Sequence, residues 1–424
     1  MPAQECNISL TIDGLASWGT QLKKVSRCFN SIIRSMKLKT ARRFVNPLIK
    51  FFLSMKTLLF FFNLVFLSAA SFAQSSYFTI TGKVIDAATQ SPMQAASVFA
   101  QNTTMGTATD ADGNFKLYLT SGGGYDLVVT FSGYETVIKR ISTASEEDKN
   151  IVFTIRKKES VMEDVVIKSS NEVPDGWEKY GNFFIENFIG KTNNSKQCTI
   201  TNNEVLKFYY NKRKNRLKVL ASAPIEIQNQ ALGYKLKYTL DSFTHEYGTQ
   251  ASTYTGYPLF EALQPADDLQ KATWQQNRQK AYKGSMLHFM RSVYHQTLKE
   301  EGFEIQFVAK NNDLETAVKL PNFYGALNYQ KDDSTLLVDI LPNQPDMAVL
   351  YSKEAPDTGY VEQNEETPGK FQLSVINIGN SESIAIEQNG YYFDQNNIVI
   401  TGYWTWEKIG DMVPYDYEVK APNP

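Results

Sequence analysis

The chain has 424 residues, of which 42% are hydrophobic, 21% charged and 13% aromatic. This length and composition are typical of a globular protein with two or three domains, and the many aromatic residues favour β-structure. The formal net charge of −2 hides an asymmetry, because residues 1–73 hold ten basic and two acidic side chains and the remainder therefore carries about −10. Nonspecific nucleic-acid binding depends on basic patches, so no nucleic-acid partner is expected for such an acidic body.

Residues 55–73 have the pattern of a secretory signal peptide. They begin with a Met-Lys pair, continue with the apolar run LLFFFNLVFL and end in small residues. The run is short for a membrane span of ~20 residues, so we expect a cleaved signal and a mature chain that starts at Gln74. Residues 1–54 are then a misassigned upstream extension. The alternative is an uncleaved anchor with its basic upstream segment held in the cytoplasm.

Cysteine usage agrees with a simple exported protein. Cys6 and Cys28 precede the signal pattern, which leaves Cys198 alone in the mature chain. One cysteine cannot form an internal disulfide, and no metal-site spacing is present. Cys198 lies in the strand-like run QCTIT, where we expect a buried small hydrophobe and not a nucleophile.

Residues 74–157 consist of short alternating segments separated by turn residues, which is typical of a β-sandwich. The pattern predicts seven strands, at Phe78–Asp86, Ala96–Gln101, Thr107–Thr109, Asn114–Leu119, Tyr125–Ser132, Glu135–Ile141 and Asn150–Ile155. Within it, Gly106–Leu117 predicts a β-hairpin around a polar turn.

Several motifs in this segment recur at family-like spacing. They are Gly-Lys-Val at 82–84, Asp-Gly-Asn-Phe at 112–115 and Ser-Gly-Tyr at 132–134. Together they resemble the carboxypeptidase-regulatory-like domain. The resemblance implies a seven-stranded, transthyretin-like sandwich that is an accessory module without peptidase activity. It also implies a setting in the Bacteroidetes cell envelope, where similar modules precede outer-membrane receptors.

Asp110 and Asp112 are the weak metal candidates in this segment. Two carboxylates two residues apart before a glycine suggest a calcium loop, but the twelfth-position Glu and the intervening ligands are missing. The simpler interpretation is a turn in which these side chains bond their own backbone and Gly113 takes a positive φ. We therefore expect no metal and no cofactor.

A polar, proline-bearing linker is predicted at 158–176, followed by a larger β-rich α+β domain at 177–424. It opens with a helix at Trp177–Ile189 and continues with strands at Cys198–Thr201, Val205–Tyr210, Arg216–Ala221, Ile225–Gln228 and Tyr234–Phe243. Residues 265–302 predict one helical hairpin, broken at Gly284, with Ser285 capping its second helix and Gly302 ending it. After it the pattern returns to strands, at Phe303–Ala309, Leu336–Ile340, Ala348–Tyr351, Phe371–Ile376, Ile384–Ile386, Tyr391–Phe393 and Ile398–Tyr403.

The helix–helix corner is the place where chemistry would be sought. Arg278, Tyr282, Ser285 and His288 are candidates for a hydrolase site there. A serine nucleophile is expected on a G-x-S-x-G elbow after a strand, whereas Ser285 directly follows Gly284, so capping is the favoured role. His288 and His295 lie seven residues apart, about 10 Å along a helix, which is too far to share one ion.

The second domain carries its own recurring motifs. They include Ala-Leu-Gly-Tyr at 231–234, Gly-Tyr-Trp at 402–404 and Pro-Tyr-Asp-Tyr at 414–417. These resemble a set found beside the same module in Bacteroidetes envelope proteins. That family has no assigned activity, so the resemblance identifies recurring residues but implies no function for any of them.

The sequence therefore predicts an exported accessory protein of the periplasm, outer membrane or cell surface. Its expected role is noncatalytic binding of an envelope protein or a glycan, with outer-membrane association as an option. Tyr254, Tyr257 and Trp274 are weak candidates for stacking on sugars. The alternative is an envelope hydrolase with its site near the 278–288 corner and the sandwich as an accessory module.

Overall fold

The computed structural model describes residues 77–120, 123–143, 149–158, 171–311, 314–365, 369–379, 383–393 and 395–419. All of them belong to one compact unit, residues 76–424. The predicted signal peptide and upstream extension lie outside the described residues, as does most of the predicted linker. Within the described ranges, no helix combines the length and the apolarity needed to cross a bilayer.

The N-terminal part is a two-sheet sandwich of seven strands, which confirms the predicted architecture. The strands are β1 (Tyr77–Asp86), β2 (Ser97–Ala100), β3 (Gly106–Ala108), β4 (Asn114–Thr120), β5 (Gly124–Thr130), β6 (Val137–Ser142) and β7 (Asn150–Ile155). One sheet has the order β4-β1-β7 and the other the order β3-β2-β5-β6. Alternate side chains of both sheets, such as Ile80, Leu117 and Leu127, are buried between them.

The predicted hairpin at Gly106–Leu117 is wrong, although both of its strands exist. β3 pairs with β2, placing Thr107 opposite Val98. β4 pairs with β1 in the other sheet, placing Leu117 opposite Ile80. The polar turn therefore carries the chain from one sheet to the other, because each strand finds its partner at longer range.

The second region begins with a helix laid on a six-stranded antiparallel sheet. The elements are α1 (Gly176–Phe188), β8 (Cys198–Ile200), β9 (Leu206–Asn211), β10 (Arg216–Ala221), β11 (Ile225–Asn229), β12 (Tyr234–Glu246) and β13 (Ala251–Ala262). The order is β8-β11-β12-β10-β9, with β13 on β12. Phe184 and Phe188 of α1 pack on Phe208 and Phe243 of the sheet.

Three helices follow, around the predicted helical hairpin. They are α2 (Asp268–Tyr282), α3 (Met286–Tyr294) and the short α4 (Leu298–Glu301). Asp267 caps α2 by accepting from the Gln270 amide. The second helix predicted between Ser285 and Gly302 is divided in two, since α3 stops at Tyr294 and Gln296 has a φ of +56° before α4 begins. Gly302, with a φ of +91°, ends only the short α4.

The rest of the chain forms two smaller sheets. Their elements are β14 (Phe303–Asn311), β15 (Leu314–Lys319), α5 (Phe323–Ala326), β16 (Gln330–Lys331), β17 (Val338–Ile340), β18 (Asp346–Tyr351), α6 (Thr358–Gln363), β19 (Gln372–Asn377), β20 (Ile384–Ile386) and β21 (Val399–Gly402). The orders are β15-β14-β18-β19-β21 and β16-β17-β20. The strand predicted at Tyr391–Phe393 is reduced to a single bridge between Tyr392 and Ile386.

The sandwich is joined to the second region by backbone hydrogen bonds. The Phe260 amide donates to the Thr103 carbonyl at 2.9 Å, and the Asn102 amide donates to Pro258 at 2.9 Å. The Tyr415 amide donates to the Asn102 carbonyl at 2.6 Å. One loop of the sandwich thus contacts both β13 and the C-terminal segment, and the two parts share a fixed interface.

Candidate functional site

Ser285 and His288 are engaged with the backbone of the corner between α2 and α3. The Ser285 hydroxyl accepts from the His288 amide at 3.2 Å and donates to the Tyr282 carbonyl at 2.7 Å. Gly284 has a φ of +79°, and its amide donates to Nδ1 of His288 at 3.1 Å. Ser285 is therefore the N-cap of α3, which confirms the predicted cap.

His288 is a buried neutral imidazole. Because its Nδ1 accepts a hydrogen bond, its Nε2 carries the proton and lies 3.1 Å from Oε2 of Glu301. Burial lowers the pKa of His288 to about 4, while Glu301 acts in the opposite direction. At neutral pH His288 holds the corner together without a charge.

Arg278 and Trp274, on one face of α2, hold the loop that precedes β12. Trp274 donates its indole N–H to the Gln230 carbonyl at 2.7 Å. The Arg278 guanidinium donates to the carbonyls of Leu232 and Gly233 at 2.6 and 2.9 Å. The Gly233 carbonyl also accepts from the Leu263 amide at 3.0 Å. The two side chains therefore tie the loop to α2 through its carbonyl groups.

Of the three aromatic residues considered for sugar stacking, Trp274 is buried, and Tyr254 and Tyr257 are half-buried. Trp274 is 5% exposed. Tyr254 lies parallel to Phe243, with ring centroids 6.3 Å apart. Tyr257 is partly buried against the cluster of Phe99, Val128 and Leu259. Tyr254 and Tyr257 thus have part of their ring surface packed on apolar neighbours.

The Asp110–Asn114 turn bonds its own backbone. One Asp110 carboxylate oxygen accepts from the amides of Asp112 and Asn114 at 3.0 and 2.8 Å. Gly113 has a φ of +74°, a backbone conformation that favours glycine. Among the described residues no group of three or more His, Cys, Asp or Glu side chains could hold a metal ion.

An exposed face with two tyrosines lies on the outer side of the β4-β1-β7 sheet. We call this the tyrosine face; its outward residues include Tyr77, Thr79, Thr81 and Lys83 of β1, Lys116 and Tyr118 of β4, and Val152 and Thr154 of β7. Tyr77 is 63% and Tyr118 52% exposed. Tyr118 lies opposite Thr79, and Tyr77 lies opposite Thr120.

The tyrosine face is basic although the protein as a whole is acidic. The Lys116 ammonium lies 5.0 Å from the centre of the Tyr118 ring. Along the described lengths of β1, β4 and β7 no outward position holds Asp or Glu. The face thus combines open aromatic rings, threonine hydroxyls and ammonium groups.

A cleft of about 180 Å³ opens beside the helix corner. Its aromatic walls are Tyr392, Trp404 and Tyr415, and Met286 and Met412 add apolar surface. The Trp404 indole N–H donates to the Gly284 carbonyl at 2.6 Å, which fixes this wall against the corner. We call this the helix-corner cleft.

Four polar side chains line the helix-corner cleft: Ser285, Glu407, Lys408 and Asp411. The Lys408 ammonium donates to the Asn187 carbonyl at 3.1 Å. Of the four hydrolase candidates only Ser285 reaches this cleft, and its hydroxyl is used in the cap. Arg278, Tyr282 and His288 do not line it, so the four candidates do not converge on this cleft.

The two carboxyl groups of the cleft differ in their partners. Asp411 accepts from the Thr192 hydroxyl at 2.8 Å and from the Asn194 amide at 2.9 Å, yet burial still raises its pKa to about 6. Glu407 has no hydrogen-bond or ion-pair partner within the described chain, and burial raises its pKa well above the usual range. Of the two carboxyl groups, Glu407 is therefore the one without a partner among the described residues.

Sequence reasoning did not identify the cleft acids or the tyrosine face. Alternation in β4 buries Phe115, Leu117 and Leu119, so the same pattern could have placed Lys116 and Tyr118 outward. No comparable signal existed for Glu407, because the walls of its cleft come from distant parts of the chain.

Comparisons with known proteins support the assignment of the N-terminal part. Residues 80–167 match the family model of the CarboxypepD_reg-like domain. The sandwich is therefore of the carboxypeptidase-regulatory-like class, as the sequence resemblance predicted. The match covers a minor part of the chain and does not extend to the second region. No curated protein matches the sequence.

Two solved structures illustrate how distant other likenesses are. A 3-chlorocatechol 1,2-dioxygenase from Rhodococcus opacus 1CP aligns with 34% of this chain and 100% of its own, at 12% identity and a TM-score of 0.17. A 9R-lipoxygenase from Cyanothece PCC8801 aligns with 51% of this chain and 48% of its own, at 8% identity and a TM-score of 0.15. Likenesses this weak carry no argument about fold or function.

Proposed function

We propose that this chain is an exported accessory protein of the cell envelope that binds a glycan without catalysis. The observation that carries the proposal is the tyrosine face, where Tyr77 and Tyr118 are 63% and 52% exposed on the outer side of a sheet. Aromatic rings present apolar faces to sugar rings, and threonine hydroxyls and lysine ammonium groups can bond sugar oxygens. The match to an accessory domain family supports the same kind of role.

The charge of the tyrosine face favours one class of glycan over another. Lys83 and Lys116 lie on it, and the outward positions of its three described strands hold no carboxylate, while the residues after position 73 carry about −10 in all. Charge complementarity therefore favours an acidic glycan, such as a polymer of uronic acids, over a neutral one. A protein partner is the other outcome that the test below distinguishes.

Affinity electrophoresis tests the proposed function. The mature protein is run through gels containing polygalacturonate or neutral dextran, at low and high salt. We expect retardation by polygalacturonate that weakens with salt, and a loss of most of it in Tyr118→Ala. The matched control is Leu269→Ala, which removes an apolar side chain that is 77% exposed on α2. Equal retardation of wild type and Tyr118→Ala would refute the proposal, and capture of an envelope protein without glycan binding would replace it.

The export part of the proposal rests on the signal pattern at 55–73. Mass spectrometry of protein recovered from the envelope fraction is expected to find Gln74 at the N-terminus. Recovery of the chain from the cytosol with residues 1–54 attached would remove the envelope setting and with it the glycan.

A hydrolase with its site at the 278–288 corner is the second candidate function. The observation that favours it is the helix-corner cleft, which brings Ser285 near Glu407 and Asp411. The use of the Ser285 hydroxyl in the cap counts against it. Turnover of aryl ester or aryl glycoside substrates that disappears in both Ser285→Ala and Glu407→Gln would establish this function in place of simple binding.

A further inference from the structure

The helix-corner cleft contains one carboxyl group, that of Glu407, which makes no described hydrogen bond or ion pair. Asp411 is already satisfied by Thr192 and Asn194, and it ties the 192–197 segment to the C-terminal part of the chain. Glu407 has no such partner within the described residues, yet it lines a cavity of about 180 Å³. A carboxyl without a partner in a sheltered cavity favours its neutral form, and a counter-ion bound beside it would stabilise the ionised form.

We propose that the helix-corner cleft binds a small organic cation, an ammonium group on a short aliphatic body, with Glu407 as its counter-ion. Tyr392, Trp404 and Tyr415 supply ring faces on which an ammonium group is attracted to the aromatic quadrupole. Met286 and Met412 supply apolar surface for the aliphatic body. This site is separate from the tyrosine face and does not depend on glycan binding.

The charges around Glu407 favour a cation over a neutral or anionic ligand. Asp411, Glu354 and Asp357 act on Glu407 as negative neighbours, and Lys280 acts as a positive one. Lys280 itself lies 3.7 Å from Glu354. The Lys408 ammonium donates to the Asn187 carbonyl at 3.1 Å. The three acids Asp411, Glu354 and Asp357 outnumber the one cation Lys280, so the local charge favours binding of a further cation.

The affinity of the cleft for an ammonium ligand should depend on pH. The empty cleft favours the protonated Glu407, because burial and the neighbouring acids raise its pKa. An ammonium ligand binds the ionised form, and its own pKa of roughly 10 keeps it charged throughout. Affinity is therefore expected to rise with pH, up to about tenfold per unit below the pKa of Glu407 in the empty cleft.

Calorimetric titration with butylammonium chloride tests the proposal, with 1-butanol as the neutral probe of the same chain length. Wild type is expected to bind butylammonium at least tenfold more tightly than butanol, with an affinity that rises with pH. Glu407→Gln is expected to weaken butylammonium binding at least tenfold and to leave only the pH dependence that Asp411, also in the cleft, contributes. Glu178→Gln on the exposed start of α1 is expected to change neither.

Two results would overturn the assignment. One is equal affinity of wild type for butylammonium and butanol, which needs no variant and so does not depend on whether Glu407→Gln folds. The other is unchanged butylammonium binding by a folded Glu407→Gln protein. Preferential binding of a neutral monosaccharide, tested with glucose in the same titration, would also contradict a cation site.

Discussion

Arg140 of the sandwich forms an ion pair with Glu387 of the second region. Glu387 also accepts from the Gly124 amide, and the Arg140 guanidinium lies 3.8 Å from the centre of the Tyr391 ring. The Glu387 side chain is largely buried, whereas that of Arg140 is partly exposed. One carboxylate therefore joins two strands of the sandwich to the loop after β20 and holds the sandwich against the second region.

Substitution of Glu387 should loosen this interface. Glu387→Ala leaves the Gly124 amide without its acceptor and Arg140 with only the longer pair to Asp126 at 3.4 Å. We therefore expect a loss of roughly 2–4 kcal/mol in the free energy of unfolding. Urea unfolding followed by fluorescence measures it. The matched control is Glu186→Ala, which breaks the exposed pair with Lys191 at 3.2 Å and should cost less than about 1 kcal/mol. Equal effects of the two variants would mean that the interface pair contributes no more than a surface pair.

Asp411 should make the fold less stable as pH rises. Its pKa is about 6 in the folded protein, above the ordinary 3.8, so between these values the folded state holds a proton that the unfolded state has released. The contribution of Asp411 to stability is complete below pH ~4 and is lost as pH rises through about 6, by about 3 kcal/mol. Asp411→Asn should remove this slope relative to wild type. Urea midpoints at pH 4, 5, 6 and 7 measure the difference, and parallel pH profiles of the two proteins would contradict the assignment.

His288 should act in the opposite sense over nearly the same range. Its pKa is about 4 in the folded protein and 6.5 ordinarily, so the folded state resists protonation. Its stabilising contribution is complete above pH ~6.5 and is lost as pH falls toward about 4, again by about 3 kcal/mol. His288→Gln should reduce the loss of stability on acidification, whatever its effect at pH 7. His288 and Asp411 have opposite effects on the change of stability with pH, so the wild-type profile shows only their difference. A His288→Gln profile parallel to that of wild type would show that burial of this imidazole does not change stability with pH.

Cys198 should be unreactive in the folded protein. Burial raises the pKa of its thiol to about 12, and its Sγ lies 3.5 Å from the Asn194 carbonyl. The thiolate is the reactive form, so alkylation by iodoacetamide at pH 8 should be at least ~100-fold slower than in urea. Mass spectrometry of the tryptic peptide that carries Cys198 follows the reaction separately from Cys6 and Cys28. Similar rates with and without urea would mean that the thiol is accessible and ionisable.

The sandwich could be predicted from the sequence because its signal is local. Alternation of buried and exposed residues along Tyr77–Asp86 identifies a strand whatever its partner is. The pairing of β3 was not predictable in the same way, since a polar turn between two short strands suits both a hairpin and a crossing between sheets. β13 was missed because Gly256 and Pro258 interrupt its pattern, and proline counts against a strand.

The candidate site was less accessible to sequence reasoning. The helix corner was located correctly, since Gly284 and Ser285 carry a strong capping signal. The walls of the adjoining cleft, such as Tyr392 and Trp404, meet it only through tertiary packing. The role of Glu407 depends on the absence of a partner, and that can be recognised only when its surroundings are known.

The central claim is that the tyrosine face binds an acidic glycan, and isothermal titration of the mature protein with oligogalacturonate tests it most directly. We expect wild type and Leu269→Ala to bind the oligogalacturonate measurably. A folded Tyr77→Ala, Tyr118→Ala double variant should bind it at least tenfold more weakly, a difference of about 1.4 kcal/mol in binding free energy. Wild-type affinity in that double variant would contradict the claim.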